Sequence, residues 1–374
     1  MTESRPRSVE AWIVIAGLVG LWLALGSRTV EQARTHDFLA LYTGAYMTSH
    51  GRAAELYDPA AQFAVEKRLA PGNTELVPFI RPPFYAAALA PMGRLPFRAA
   101  FDAWIAAQIA IFAACLAWAW RRFGMAALLL GCMSMPAALG IANGQDGPVF
   151  LAALIASYAL AEKGKAAASG AALGILLVKF HLTPLWIVAM VAQRRWKMLA
   201  GFAAVGAAAA SVALATVGIG GLRTYAALLQ NGSLEWLSPS PEFMIGFGGL
   251  ASNFGIASGI ARGAGVAAIV AVFAAAVWRA PLWRWYGLST VASLLVAPHA
   301  YGYDAAMLLL GLWLAIFYAG LRSTKILAVW LCTPAPFAFT LAGRPWAAIS
   351  SLSLLAMLAA LGRDGLSADH HSRD

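Results

Sequence analysis

The stretch Thr35-His36-Asp37-Phe38-Leu39-Ala40-Leu41-Tyr42-Thr43-Gly44-Ala45-Tyr46 decides how this chain is read. It stands just past the first apolar run and is expected to open a short amphipathic helix. Asp37 is the first acid after that run with no basic residue three or four positions on, because Ala40 and Leu41 fill those places. An acid with no basic residue at helical spacing, held at a bilayer surface, is a candidate general base.

The bilayer is implied by composition. Of 374 residues, 61% are hydrophobic and 12% charged, and the mean hydropathy is +0.69. Soluble domains carry about 25% charged residues, so the chain reads as a polytopic, all-α membrane protein. A spanning helix needs roughly 20 apolar residues, which leaves room for about ten or more spans. The net charge of +10 fits basic cytoplasmic loops, and no nucleic-acid partner is expected. Cys115, Cys132 and Cys332 lie in apolar runs as packing residues. No Cys/His cluster has zinc spacing, and no metal or cofactor is expected unless Asp37, Asp58 and Asp146 converge to recruit a metal; His370-His371 falls in an expected disordered tail, 364–374.

Arg5 and Arg7 precede the first apolar run, 12–27, which lacks a small-x-small cleavage site and reads as a retained anchor with a cytoplasmic N-terminus. Residues 28–98 form the longest stretch without a span and are expected to be a structured external loop with amphipathic helices. Further spans are expected at 99–120, 125–142, 149–161, 198–217, 263–277, 285–297, 305–321, 326–340 and 346–361. Between them, Lys179-Phe180-His181-Leu182-Thr183-Pro184 interrupts an apolar run and makes two short helices of it. The total is about 12 segments in one integrated domain, 1–374. Arg121-Arg122, Lys163, Lys165, Arg194-Arg195, Lys197, Arg279, Arg284, Arg322, Lys325 and Arg363 then all fall on the cytoplasmic side, as do both termini. Gly170-x-x-x-Gly174 suits close helix packing.

On the external side the remaining polar residues gather, and intramembrane or membrane-edge polar groups are costly enough to mark function. Asn143-Gly144-Gln145-Asp146 reads as a capping turn or a substrate contact, or both. Lys179 and His181 sit at the helix break, where the cation pairs with an acid or binds a phosphate; phosphate binding is favoured because no acid adjoins it in sequence. His299, Tyr301, Tyr303 and Asp304 make a dense hydrogen-bonding patch after Pro298, suited to a sugar or phosphate, with capping by Asp304 as the plainer reading. Arg81 is either a loop charge or a phosphate ligand. The loop 218–262, with Asn231, Glu235, Trp236, Pro239, Pro241, Glu242 and Phe243, has the composition of a lid.

Taken in order, Asp37-Phe38, Leu56-Tyr57-Asp58-Pro59, Arg81-Pro82-Pro83-Phe84, Asn143-Gly144-Gln145-Asp146, the Lys179 break and His299 resemble glycosyltransferase family 87, membrane enzymes of the GT-C class. Two departures are Arg81 in place of an aromatic before the prolines, and Phe180-His181 between Lys179 and a proline. The resemblance implies transfer of a hexose, often mannose, from a polyprenyl-phosphate donor to a lipid or glycan acceptor on the external face of a bacterial plasma membrane. It implies Asp37 as catalytic base, with Lys179 and His299 near the donor phosphate. Arg81, His181 and Tyr301 join them as expected donor ligands, and Tyr42, Asn143, Gln145, Asp146, Tyr303 and Asp304 as expected substrate contacts. The rival expectation is a lipid or sugar transporter, which would place charges near the bilayer midplane and carry inverted repeats; convergence of Asp37, Lys179 and His299 on one cavity open both to lipid and to the external aqueous phase separates the two.

Overall fold

The computed structural model describes residues 37–231 and 240–371. The expected first span at 12–27 and the loop residues Glu235, Trp236 and Pro239 lie outside the described residues. The fold is all-helical, and among the described residues no strand forms.

The chain opens with α1 (Asp37–Ser49), α2 (Pro59–Leu69) and α3 (Pro83–Leu89). Each start has a local cause. Asp58 caps α2 by accepting from the Ala60 and Ala61 amides, with Pro59 at its first position. Pro82 and Pro83 set the start of α3, leaving Arg81 just ahead of it. The first long helix, α4 (Phe97–Phe123), ends at Gly124 with φ 83°. It is followed by the bent pair α5 (Met125–Cys132) and α6 (Met135–Ala142), then α7 (Gly147–Glu162) and α8 (Ala166–Leu173). A 3-10 segment, Gly174–Leu182, carries the expected break: Lys179 has φ −116° and ψ 63°, outside helical space. Pro184 restarts the chain as α9 (Pro184–Ala192).

α10 (Trp196–Asn231) is itself broken at Gly218, where φ is 66°. The rest comprises α11 (Phe247–Asn253), α12 (Gly259–Val277), α13 (Leu282–Val296), α14 (Leu308–Tyr318), α15 (Arg322–Cys332), α16 (Ala335–Ala338) and α17 (Ala348–His371). The last helix runs on past residue 364, where a disordered tail is expected.

Among the described residues, three helices are long and apolar enough to cross a membrane singly, five if each of two bent pairs counts as one span. The pairs are Met125–Cys132 with Met135–Ala142, bent by 50°, and Arg322–Cys332 with Ala335–Ala342, bent by 54°. Three shorter apolar helices, Gly147–Glu162, Ala166–Leu182 and Gly302–Tyr318, make up more of the bundle. Full-length spans are thus fewer than the expected tally of segments, because prolines and glycines divide several apolar runs into packed half-helices.

The core lies around α13, whose residues from Arg284 to Leu295 are all buried. Trp186, Trp285, Tyr286 and Trp313 are completely enclosed there. In lipid, helix association depends on close packing more than on water exclusion, and small residues permit it. A Cβ at Gly170 would stand 1.7 Å from the Met198 carbonyl oxygen, and one at Gly201 would stand 1.9 Å from that of Ala167. α8 and α10 therefore meet backbone to backbone, as the Gly170-x-x-x-Gly174 spacing suggests.

α1 departs from expectation. Leu39, Leu41 and Tyr42 are expected against the membrane surface, yet they are 0%, 3% and 2% exposed, inside the protein. Their partners are α3 and the turn at Met92–Arg94. The helix carries apolar or small residues on nearly every side, and such a helix is buried all round.

Candidate active site

Asp37 opens α1, and two close tertiary approaches fix that helix. A Cβ at Gly44 would overlap the Phe79 ring at 2.5 Å, so α1 lies directly against the segment that precedes α3. Gly144 has φ +67°, and a Cβ there would stand 2.8 Å from the Phe38 Cβ. Only glycine combines that backbone with that approach. The Trp104 indole then donates to the Gly144 carbonyl at 2.8 Å, which ties the 143–146 turn to α4.

A cavity of about 850 Å³ opens between these elements. Asp37, Arg81, Gln145, Lys179, His181, His299, Tyr301 and Tyr303 all line it. Residues spread over more than 260 positions of sequence thus share one space, including Asp37, Lys179 and His299. An apolar side is made by Val178, Phe180, Leu229 and Phe243. Four of the expected site residues are not on its surface. The Tyr42 hydroxyl donates to the Leu95 carbonyl at 2.6 Å inside an aromatic cluster with Phe38 and Phe97. Asn143 terminates α6. Asp146 and Asp304, 1% and 2% exposed, lie behind the cavity wall.

Those two acids change the reading of Lys179. Its ammonium bonds Asp304 and lies 3.4 Å from Asp146 Oδ1. The sequence expectation rested on there being no neighbouring acid, and the fold brings in two from distant segments. The same Asp146 oxygen is 3.4 Å from Arg81 Nη2, which also donates to Gln145 Oε1 at 3.1 Å. Two cations and two carboxylates thus balance. Burial works against a charge on Asp146, but Arg81 and Lys179 outweigh it and hold the carboxyl below its usual range. Asp304 Oδ2 also accepts from the Tyr301 amide at 2.9 Å, the capping role weighed above. Arg81 spends only Nη2 on these contacts. With five N–H donors on a guanidinium, it retains more capacity for a ligand anion than Lys179 does.

The histidines face each other, their rings 6.1 Å apart and nearly perpendicular, and Tyr301 packs edge-on to His299 at 4.9 Å. Burial pushes His299 down to about 4, against the opposing pull of Asp304, so its imidazole is neutral near pH 7. His181 Nε2 is buried with no hydrogen-bond partner among the described residues, an unusual state for a polar atom and one that a ligand would relieve. Burial and then the Asp37 charge raise the Tyr301 hydroxyl, which stays protonated as a donor. Among the described residues no group of three or more His, Cys, Asp or Glu is arranged to hold a metal.

Sequence reasoning missed one whole wall. Residues Asn73 and Glu75 to Ile80 line the cavity, although they lack periodicity, charge pattern or motif. Ser240 and Phe243 of the lid-like loop also reach it. That loop is tied to the histidine segment by the Ile245 amide, which donates to the Ala300 carbonyl at 2.9 Å.

Comparison with known proteins adds one finding. The model of glycosyltransferase family 87 matches residues 79–298. No curated protein matches the chain. No solved structure matches it either. Asp37, Tyr42, His299, Tyr301, Tyr303 and Asp304 fall outside the matched stretch, and of these Asp37, His299, Tyr301 and Tyr303 line the cavity. The match takes in well over half of the sequence and runs from the cavity wall at Phe79 to Pro298. The chain belongs to glycosyltransferase family 87.

Proposed function

We propose that this membrane glycosyltransferase moves a hexose, with mannose the first choice, from a polyprenyl-phosphate donor to a glycolipid or glycan hydroxyl, with inversion at the anomeric carbon. The observation that carries the proposal is that the Asp37 carboxylate, the Arg81 guanidinium and the neutral His299 imidazole line one cavity with an apolar side. Its volume, about 850 Å³, is at the upper end of the roughly 300–1,000 Å³ typical of ligand pockets, room for a sugar phosphate and an acceptor ring together.

Each part of the reaction has a group suited to it. Asp37 takes the proton of the acceptor hydroxyl as its oxygen bonds the anomeric carbon. On the opposite side the bond from that carbon to the phosphate oxygen breaks, and the electron pair leaves with polyprenyl phosphate. Arg81 offsets the charge that develops on the phosphate, and Tyr301 and His299 offer hydrogen bonds to it or to the sugar. Lys179 acts by keeping Asp146 and Asp304 neutralised, which leaves the cavity without an uncompensated negative wall behind Arg81. Phosphate is a good leaving group, so one carboxylate suffices. Val178, Phe180, Leu229 and Phe243 suit the first isoprene units. We place the cavity on the external side, with both termini and the basic helix ends cytoplasmic, in one integrated membrane domain.

The test is transfer from labelled polyprenyl-phosphate mannose to a lipid extract by the purified protein. Asp37→Asn is expected to reduce turnover by about 10²–10⁴-fold, the usual contribution of a general base, with donor binding retained. Full activity in that variant would sink the assignment of Asp37. Absence of any transfer by the wild type, together with movement of the lipid between leaflets, would favour the transporter reading.

A further inference from the structure

The cavity wall at residues 73–81 has no helix or strand of its own, yet its backbone is held. α2 presents Gln62 and Glu66, four positions apart on one face, and both are buried, at 2% and 0% exposure. The Phe79 amide donates to Gln62 Oε1 at 2.8 Å, and Gln62 Nε2 returns a bond of 3.4 Å to the Phe79 carbonyl while donating to the Leu56 carbonyl at 2.7 Å. One turn on, the Val77 amide and the Asn73 side chain donate to Glu66 Oε2 at 3.0 and 3.3 Å. The Tyr57 hydroxyl donates to the Arg81 carbonyl at 2.7 Å. Val77, Phe79 and Arg81 are alternate residues, the spacing at which an extended chain directs its backbone groups to one side. On the other side, the Tyr225 hydroxyl, from the far half of α10, reaches the Ile80 carbonyl at 3.3 Å, and its ring stacks on Tyr57 at 4.5 Å.

We propose that α2 substitutes for a neighbouring strand, and that Gln62 and Glu66 are positioning residues that set the cavity wall and, through it, the place of Arg81. The proposal rests on the reading of Arg81 as the ligand of the donor phosphate. A side-chain amide suits this task because its donor and acceptor reproduce those of a peptide group. Gln62 therefore pairs with Phe79 as a strand residue would, and the chain leading from Phe79 to Arg81 is only two residues long. Neither Gln62 nor Glu66 lines the cavity, so their effect on a ligand passes through the wall.

The experiment uses purified full-length protein in detergent, with undecaprenyl phosphate as the probe and backbone hydrogen exchange as the second readout. Gln62→Leu is expected to raise exchange across 73–81 by about tenfold while leaving α4 protected, as local opening does. It should also weaken undecaprenyl phosphate binding about tenfold. In an Arg81→Ala background, Gln62→Leu should cost no further affinity, because residues that act through one group are not additive. Glu66→Gln, which keeps both acceptor contacts, should protect the wall where Glu66→Leu does not. Unchanged exchange in Gln62→Leu, or a full additional loss of affinity on top of Arg81→Ala, overturns the positioning role while leaving the donor reading intact. Failure of the wild type to bind undecaprenyl phosphate overturns the donor reading, and with it the role of Gln62 and Glu66 in placing Arg81.

Discussion

Lys179 lies between two carboxylates, and removing its ammonium takes from Asp304 its ammonium partner and leaves Asp146 with Arg81 as its remaining cation. Breaking a buried pair by deleting one member costs about 3–5 kcal/mol, far more than a surface pair is worth. Lys179→Ala is therefore expected to lower the thermal unfolding midpoint in detergent, and Lys179→Met with Asp304→Asn to recover part of the loss. Arg81→Ala should instead leave the midpoint nearer to wild type and weaken binding of the phosphate probe. Glu66 supplies a separate pH test. Burial lifts its carboxyl to about 7, against the pull of the Val77 amide, and no charged group contributes to the shift. The folded protein therefore favours the protonated form, and that contribution to stability is present below the ordinary carboxylate range and lost as pH rises through about 7. Glu66→Gln should be more stable than wild type at pH 8 and similar at pH 5; a stability difference that does not change with pH would contradict this account. Sequence alone marks Lys179 as unusual but not its partners, because Asp304 lies 125 positions away.

Among the elements, α1 shows how local pattern misleads. Its alternation of large and small apolar residues suits a membrane-surface helix as well as a buried one, and only the contacts with α3, Phe79 and the 143–146 turn distinguish them. Those contacts also make Asp37 sensitive to Gly144. Gly144→Ala adds a methyl group against Phe38 in a backbone conformation that L-residues disfavour, at a cost of about 1 kcal/mol or more. Transfer activity is expected to fall by more than this loss of stability accounts for, since the displaced Phe38 adjoins Asp37, the proposed base; parallel thermal unfolding and turnover measurements check it. The helix break at Lys179 is the opposite case. Pro184 and the polar run before it announce the interruption in the sequence, and the non-helical backbone at Lys179 agrees. Residues 73–80 gave no signal, since their order comes from side chains of α2 and α10.

Across the whole molecule, charge is divided between two ends. α7 leaves the cavity at Asp146 and reaches Glu162 after 16 residues, about 24 Å along the axis. There Arg122 of α4 bonds Glu162 at 2.7 Å and the Tyr318 hydroxyl of α14 at 3.0 Å, so three helix ends meet away from the cavity. The basic connections at Arg121-Arg122 and Lys163 belong to this far end. Single cysteines introduced at Glu75 and at Lys163, in a background without Cys115, Cys132 and Cys332, should react with an impermeant maleimide from opposite sides of sealed vesicles. Labelling from the same side would refute the two-ended arrangement.

Membrane class, all-helical fold, the break at Lys179 and the family are legible in the sequence because they follow from composition, apolar run length, proline placement and short ordered motifs. These are local properties, and the bilayer enforces them by requiring every exposed backbone group to be satisfied within its own helix. Tertiary structure alone decided that Asp146 and Asp304 neutralise Lys179, that Tyr42 is a core residue, and that an unpatterned strip walls the cavity. Each depends on groups far apart in the chain meeting where water is excluded, and no local pattern of residues records such a meeting. For Asp37 the two levels divide the work: the sequence supplies an acid with no basic residue three or four positions on, and the packing of α1 brings it to the cavity that Arg81 and His299 also line.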